Sequence, residues 1–277
     1  MEFVLEGTFA GQAAYAYTGP GAGSSVGAGA PAIVFIHGAQ HDHSVWAPQT
    51  SRFIERGWRV LAPDLPGHGR TPGPALAGVE AMADWVLALL DAAGVASVLL
   101  VGHSMGSLVA LEAAARAGVG TRVRICALAL LATAWPMTVS DALLACARAD
   151  EARAIDMVNI WSHASLLDSS APAENRRLMQ RMAARNPNQL LYTDFSACQA
   201  YAGGLEAAAC IACPVLFILG RRDAMTPPRA AQALVKALPQ AQVVQLDGGH
   251  ALMAERPGAV YDALAAFAHD ATTGALE

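Results

Sequence analysis

Charge is scarce in this chain: 15% of its 277 residues are charged, against 54% that are hydrophobic. Eighteen basic and 23 acidic residues leave a net charge of −5, and no basic stretch stands out. That excludes the electropositive face of a nucleic-acid-binding protein. Long apolar runs are missing too. The longest, Ile125 to Trp135, is far too short to span a bilayer. The opening Met1-Glu-Phe-Val-Leu-Glu-Gly7 lacks the basic start and apolar stretch of a signal peptide. Five cysteines (Cys126, Cys146, Cys198, Cys210, Cys213) are an odd, scattered set, which excludes a disulfide framework and suits small core residues in a reducing compartment. Cys210-Ile-Ala-Cys213 has the spacing of a redox or metal pair. It has no second pair and precedes a strand instead of opening a helix, so it reads as packing. No internal repeat is visible. These absences point to a soluble cytoplasmic enzyme with a small-molecule substrate, no cofactor, no metal, and neither nucleic acid nor membrane as partner.

Periodic apolar segments fill the rest. The length suits one large α/β domain, or a core with an inserted subdomain. Two alternating stretches, 2–5 and 12–17, predict an antiparallel hairpin, and a Gly-rich linker follows over 19–31. Continuous apolar runs then recur at 32–36, 59–62, 97–101, 125–131, 215–219 and 243–246. Strands covered by helices on both faces have this pattern. Helical stretches lie between several of them, at 46–56, 79–93, 105–117, 228–237 and 257–269. The alternation predicts an open, mostly parallel, twisted sheet with helices on both faces. One interval breaks the rhythm. Helical segments near 140–153, 155–162, 173–184 and 187–200 follow one another without a strand, so residues 137–209 read as an all-helical insertion into a core of 1–136 and 210–277.

The chemistry begins at Gly102-His-Ser104-Met-Gly106, placed between the apolar run ending at Val101 and an alanine-rich helix. A turn this sharp forces the residues two before and two after the serine to be glycine, because side chains there would strike neighbouring backbone. The turn holds the Ser104 hydroxyl above the sheet at a helix N-terminus, which favours developing negative charge.

A serine hydroxyl near neutral pH needs a base, and the base needs an orienting acid. Eight histidines compete. His250 follows the last predicted strand in Asp247-Gly-Gly-His250, where two glycines permit close approach of the loop. The acid is sought beyond a strand end, where open α/β sheets bind ligands, and Asp223 follows the 215–219 run in Gly220-Arg-Arg-Asp223. Asp247 is its rival, but a residue three positions from His250 rarely wraps round to the far ring nitrogen. The chain order Ser104, Asp223, His250 suits this architecture. A tetrahedral acyl-transfer intermediate also needs two N–H donors for its oxyanion. Met105, following the nucleophile, supplies one. The turn His37-Gly38-Ala39-Gln40 supplies the other, from Ala39 by position.

The chain resembles an α/β-hydrolase with a helical cap inserted after the sixth core strand. The residues that carry the likeness are His37-Gly38 with Trp46-Ala-Pro-Gln49, Asp64-Leu-Pro-Gly67-His-Gly69-Arg-Thr71, Gly102-His-Ser104-Met-Gly106, Gly220-Arg-Arg-Asp223 and Gly249-His250. The resemblance covers nearly the whole chain. It implies Ser104 as nucleophile, Asp223 as acid and His250 as base, and a structural role for the Asp64 segment, leaving Asp64 and His68 without a catalytic one.

Serine at the elbow disfavours epoxide hydrolysis and dehalogenation, for which related proteins use an aspartate. Hydrolysis of a small, mainly apolar carboxylic ester is the first expectation. Enol-lactone or carbon–carbon bond hydrolysis is the alternative, and a slow-turnover small-molecule binding protein is the third. Trp135, Met137, Trp161 and Leu252 are the expected pocket residues, and the cap arginines Arg148, Arg153, Arg176, Arg177, Arg181 and Arg185 are candidates for a substrate carboxylate. The chain is expected to be a monomer or homodimer.

Overall fold

A computed structural model describes residues 1–19, 32–118 and 122–273. The linker expected after Gly19 lies outside the described residues. Eight strands form one sheet in the order β1-β2-β4-β3-β5-β6-β7-β8. β1 (Glu2–Val4) and β2 (Ala13–Tyr17) pair antiparallel, and β2 runs antiparallel to β4 (Arg59–Pro63). The other neighbours are parallel: β3 (Ala32–Ile36), β4, β5 (Ser97–His103), β6 (Arg124–Leu131), β7 (Val215–Gly220) and β8 (Gln242–Leu246).

The strands are apolar throughout because both faces are covered. Ala32, Val34 and Ile36 of β3 enter one apolar layer, while Ile33 and Phe35 enter the other. Val98 and Leu100 of β5 alternate with Leu99 and Val101 in the same way. Helices α2 (Val79–Ala92) and α3 (Met105–Arg116) cover the first layer. Helices α1 (Ala47–Glu55) and α11 (Pro257–Thr273) cover the second. The helix expected from Trp46 opens instead as a 3-10 turn, His43–Trp46, because Asp42 accepts the Ser44 N–H at 2.9 Å; α1 then starts with Pro48 in its first turn.

Between β6 and β7 lie α4 (Asp141–Ala149), α5 (Glu151–Ser162), α6 (Ala171–Arg185), α7 (Leu190–Ala200) and α8 (Gly204–Ala209), with no strand. Met137, Leu143, Ile155, Val158, Met179 and Phe195 of this cap extend the first apolar layer above the sheet. Two boundaries differ from expectation. The first cap helix stops at Asp150, which leaves helical geometry (φ −150°, ψ 80°) and caps the next helix by accepting the Arg153 N–H at 3.1 Å. Likewise α7 starts after Gln189, whose left-handed φ of 57° breaks a helix running on from Pro187. The unexpected α8 packs on α3 of the core.

After β7 come α9 (Gln232–Ala237), preceded by a 3-10 turn over Pro228–Ala231, then β8 and the short α10 (Leu252–Glu255), which the sequence pattern does not reveal. The chain leaves β3 for β4 on one side and returns to β5 on the other. The turns after β3 and β5 therefore flank the crevice where open α/β sheets bind ligands. No described helix is long and apolar enough to cross a membrane.

Candidate active site

Ser104 joins β5 to α3 with φ 53° and ψ −121°. This is a costly backbone for a residue with a Cβ, on the order of 1–3 kcal/mol, which persists only where its surroundings impose it. The two glycines show how. A Cβ on Gly102 would strike the Gly106 carbonyl, and a Cβ on Gly106 would meet the carbonyls of Ile36 and His37. Leu131 of β6 anchors the turn by accepting the Ser104 N–H at 2.9 Å.

The turn after β3 lies against Ser104. A Cβ on Gly38 would sit 3.2 Å from the Ser104 Cβ. His37 orients this turn from below: its Nε2 accepts the Leu65 N–H at 3.0 Å and its Nδ1–H donates to the Gly38 carbonyl at 2.9 Å. Burial, then the His68 charge, hold the His37 pKa well below the usual histidine range, so the ring is neutral. Among the described residues, the N–H groups of Ala39 and Met105 have no hydrogen-bond partner. Met105 opens α3, where the first N–H groups have no partner within the helix.

Asp223 and His250 come together from the ends of β7 and β8. His250 Nδ1–H donates to Asp223 Oδ2 at 2.9 Å. The carboxylate is secured on its other side, where Oδ1 accepts the N–H groups of Met225 at 2.8 Å and Thr226 at 2.7 Å. The Thr226 hydroxyl lies 2.8 Å from both Asp223 Oδ2 and the Ala132 carbonyl. Burial alone would push the Asp223 pKa up. The His250 charge and these hydrogen bonds outweigh it, and the carboxyl is held below its ordinary value. Asp247 is elsewhere: its side chain is 66% exposed and pairs with Arg222 at 2.9 Å, a surface ion pair.

The cap holds the His250 loop. The N–H groups of His250 and Ala251 both donate to the Ser162 carbonyl at 2.9 Å. A Cβ on Gly249 would approach Ser162 O to 2.8 Å and Ala164 N to 2.7 Å, so this glycine is needed for the cap to seat. Glu255 links the same parts, accepting the Ala164 N–H at 2.7 Å and the Gly249 N–H at 2.5 Å. From beneath, His103 Nε2–H donates to the His250 carbonyl at 2.9 Å. Sequence reasoning missed Ser162, Glu255 and Thr226. A main-chain acceptor leaves no trace in residue type, and Glu255 acts across 91 residues from Ala164.

Asp64 has the structural part expected of it. Its oxygens accept the N–H groups of His43 and Arg70, each at 2.8 Å, and its carboxylate fills the space a Gly69 side chain would take. Asp42, His43 and Asp64 could face one cation, but Asp42 already caps Ser44 and His43 Nδ1 already pairs with Asp64 at 2.8 Å. His68 does more than the resemblance implies, since its Nε2–H donates at 2.9 Å to Asp194 of the cap.

None of the four expected pocket residues lines the cavity that reaches His250. Met137 is buried where cap meets core, and half-buried Trp135 packs its indole against Gly204. Leu252 is fully buried in the second apolar layer beneath the site, while Trp161 is 37% exposed on α5. A cavity of about 440 Å³ reaches His250 and His103 between α6 and the 41–48 segment. Met253, Arg177 and Arg181 line it. Of the other cap arginines, Arg176 pairs with Asp156, Arg185 donates to the Gly69 carbonyl, and Arg148 lies over the Tyr192 ring.

Comparison with known proteins agrees with this architecture. The chain is 31% identical to a pimeloyl-[acyl-carrier protein] methyl ester esterase from Xanthomonas campestris pv. campestris, over 79% of this chain and 87% of that protein. It is 26% identical to 3-oxoadipate enol-lactonase 1 from Acinetobacter baylyi, over 82% of this chain and 85% of the relative. The enol-lactonase from Burkholderia xenovorans LB400 superposes with a TM-score of 0.78 at 26% identity, covering 94% of this chain and 97% of that one. Residues 33–263 match the alpha/beta hydrolase family, and the chain, with its elbow at the end of β5 and its cap between β6 and β7, is a hydrolase belonging to that family.

Proposed function

We propose that the chain cleaves a small, mainly apolar carboxylic ester by a Ser104–His250–Asp223 mechanism with an acyl-enzyme intermediate. The observation that carries this reading is the His250–Asp223 bond of 2.9 Å, on a loop whose His250 carbonyl accepts from His103, the neighbour of Ser104 in its strained elbow, with the N–H groups of Ala39 and Met105 unpartnered among the described residues. The bond fixes the tautomer: the proton on Nδ1 faces Asp223, which leaves Nε2 free to act as a base.

In the first half-reaction His250 Nε2 takes the Ser104 proton as Oγ attacks the acyl carbon. The carbonyl oxygen becomes an oxyanion facing the N–H groups of Ala39 and Met105, each worth roughly 3–4 kcal/mol in the transition state. The imidazolium, stabilised by Asp223, passes its proton to the departing alkoxide. In the second half-reaction water gives a proton to His250 and attacks the acyl-enzyme. The Ser104 alkoxide leaves, recovers the proton, and the acid is released.

An apolar substrate is supported by Val45, Pro48, Leu178, Ala251 and Met253 among the residues that line the cavity reaching His250. A lactone is the second reading, favoured by the two enol-lactonases among the relatives. Rates on p-nitrophenyl esters from acetate to octanoate, beside an enol-lactone, separate the two. The expected result is fast turnover of short-chain esters that Ser104→Ala lowers on the order of a million-fold. Turnover surviving that substitution would exclude the serine mechanism, and activity confined to the lactone would select the second reading.

A further inference from the structure

The mechanism above uses the core, but a buried carboxylate of the cap remains without a task. Asp194 of α7 is fully buried. Its Oδ2 accepts the Gln40 N–H at 2.8 Å and the His68 Nε2–H at 2.9 Å, while its Oδ1 has no partner. Burying a carboxylate with one oxygen unmatched is a poor way to stabilise a fold, because the lost hydration is only partly replaced. Its placement has to be explained by what it holds.

It holds the residue next to the oxyanion donor. Gln40 follows Ala39, and its φ of 53° is left-handed, a conformation that costs a residue with a side chain roughly 1–2 kcal/mol. Two cap carboxylates keep it there. Asp194 takes its N–H, and Glu151 of α5 takes its side-chain Nε2–H at 2.7 Å while also accepting the Leu191 N–H of α7. Fixing the Ala39–Gln40 peptide limits how Ala39 can rotate, and so where its own N–H points.

A bare carboxylate here would oppose an oxyanion forming one residue away. His68 answers that charge. Both of its nitrogens face oxygen acceptors: Nδ1 lies 3.1 Å from the Pro66 carbonyl and Nε2 lies 2.9 Å from Asp194. An imidazole that donates from both nitrogens is an imidazolium. Its other charged or titratable neighbours are His37, with ring centroids 4.9 Å apart, His41 and Asp64. Against the cost of burial, Asp194 raises the His68 pKa, in keeping with the geometry.

We propose that Asp194 is a positioning residue of the oxyanion turn: from the cap it fixes the Gln40 peptide so that the Ala39 N–H receives the oxyanion, with His68 as its neutralising partner. This rests on the serine-hydrolase reading above. Seating the cap and forming the oxyanion hole are then one event, and a substrate that lets the cap settle also completes the site.

The test compares two inhibitors. An alkyl trifluoromethyl ketone adds Ser104 and places charge in the oxyanion hole, whereas the matching secondary alcohol cannot add. With Asp194→Ala, kcat should fall about 10- to 100-fold, less than or equal to the loss of a whole donor. KM should stay within about threefold, ketone affinity should fall in step with kcat/KM, and alcohol affinity should not move. Asp194→Asn keeps an acceptor for the Gln40 N–H and should restore most of the loss. Should Asp194→Ala fail to fold, His68→Gln keeps a donor to Asp194 without the charge and should lower ketone affinity about fivefold with alcohol affinity unmoved. An unchanged ratio of ketone to alcohol affinity, or equal loss of both, would overturn the proposal. Ketone binding to Ser104→Ala as tight as to the unaltered enzyme would instead overturn the serine-hydrolase reading.

Discussion

The turn after β3 takes its cap contacts from side chains, and the loop after β8 takes its cap contact from a main-chain carbonyl. Asp194 and Glu151 hold Gln40 in the first. In the second, the Ser162 carbonyl receives the His250 and Ala251 N–H groups, with Glu255 of α10 alongside. The two regions meet at the same crevice and depend on the same cap, yet they differ in what can be changed. A carbonyl is supplied by any residue, so the His250 loop is insensitive to the Ser162 side chain and sensitive to anything that blocks the close approach. The turn after β3 is the reverse, since its anchors are the side chains of Asp194 and Glu151.

The largest effect that sharpens this contrast lies in the turn after β7, which holds the His250 loop through Asp223. Asp223→Asn should lower kcat about 10,000-fold with the fold retained, because His250 loses the partner that sets its tautomer. Asp247→Asn should leave kcat within about twofold, as expected for an exposed ion pair. Equal losses for the two variants, measured on one p-nitrophenyl ester, would remove the distinction between them.

A smaller effect tests the main-chain contact. Gly249→Ala pushes a Cβ against Ser162 O and Ala164 N, and should cost about 1–3 kcal/mol in denaturant unfolding while also reducing kcat. Ser162→Ala should change stability by less than about 0.5 kcal/mol. A large loss from Ser162→Ala would show that the side chain, not the carbonyl, holds the loop.

The smallest effect concerns pH and the turn. The His68 pKa is raised in the folded state against burial, chiefly by Asp194. Its charged pairing therefore adds stability that is fully present below the unfolded pKa of about 6.5 and is lost as pH rises through the folded value. The difference in Tm between the unaltered protein and His68→Gln should be widest at acidic pH and shrink towards alkaline pH. A difference that widened with pH would contradict an imidazolium at this position.

The core half of the site was legible because strong local constraints wrote it. Gly102 and Gly106 are demanded by carbonyls within reach of their missing Cβ atoms, and the parallel strands show as unbroken apolar runs. Asp223 and His250 lie where the topology must bring them, just past the ends of β7 and β8. The cap half was not legible in this way. Leu252, apolar and close in sequence to His250, turned inward to the second layer, and Trp161 faced outward, because helix phase relative to a neighbour decides such matters. The break at Asp150 shows how a single capping side chain divides what looks like one helix.

Residue type and spacing were sufficient for the alternation of strand and helix and for the elbow between β5 and α3, since steric and periodic rules act over a few residues. Only the folded chain joined Asp194 to Gln40 across 154 positions, and the Ser162 carbonyl to His250. Contacts of that kind depend on how a helical cap settles on a sheet. That is a packing outcome of many weak apolar contacts, and no local pattern encodes it.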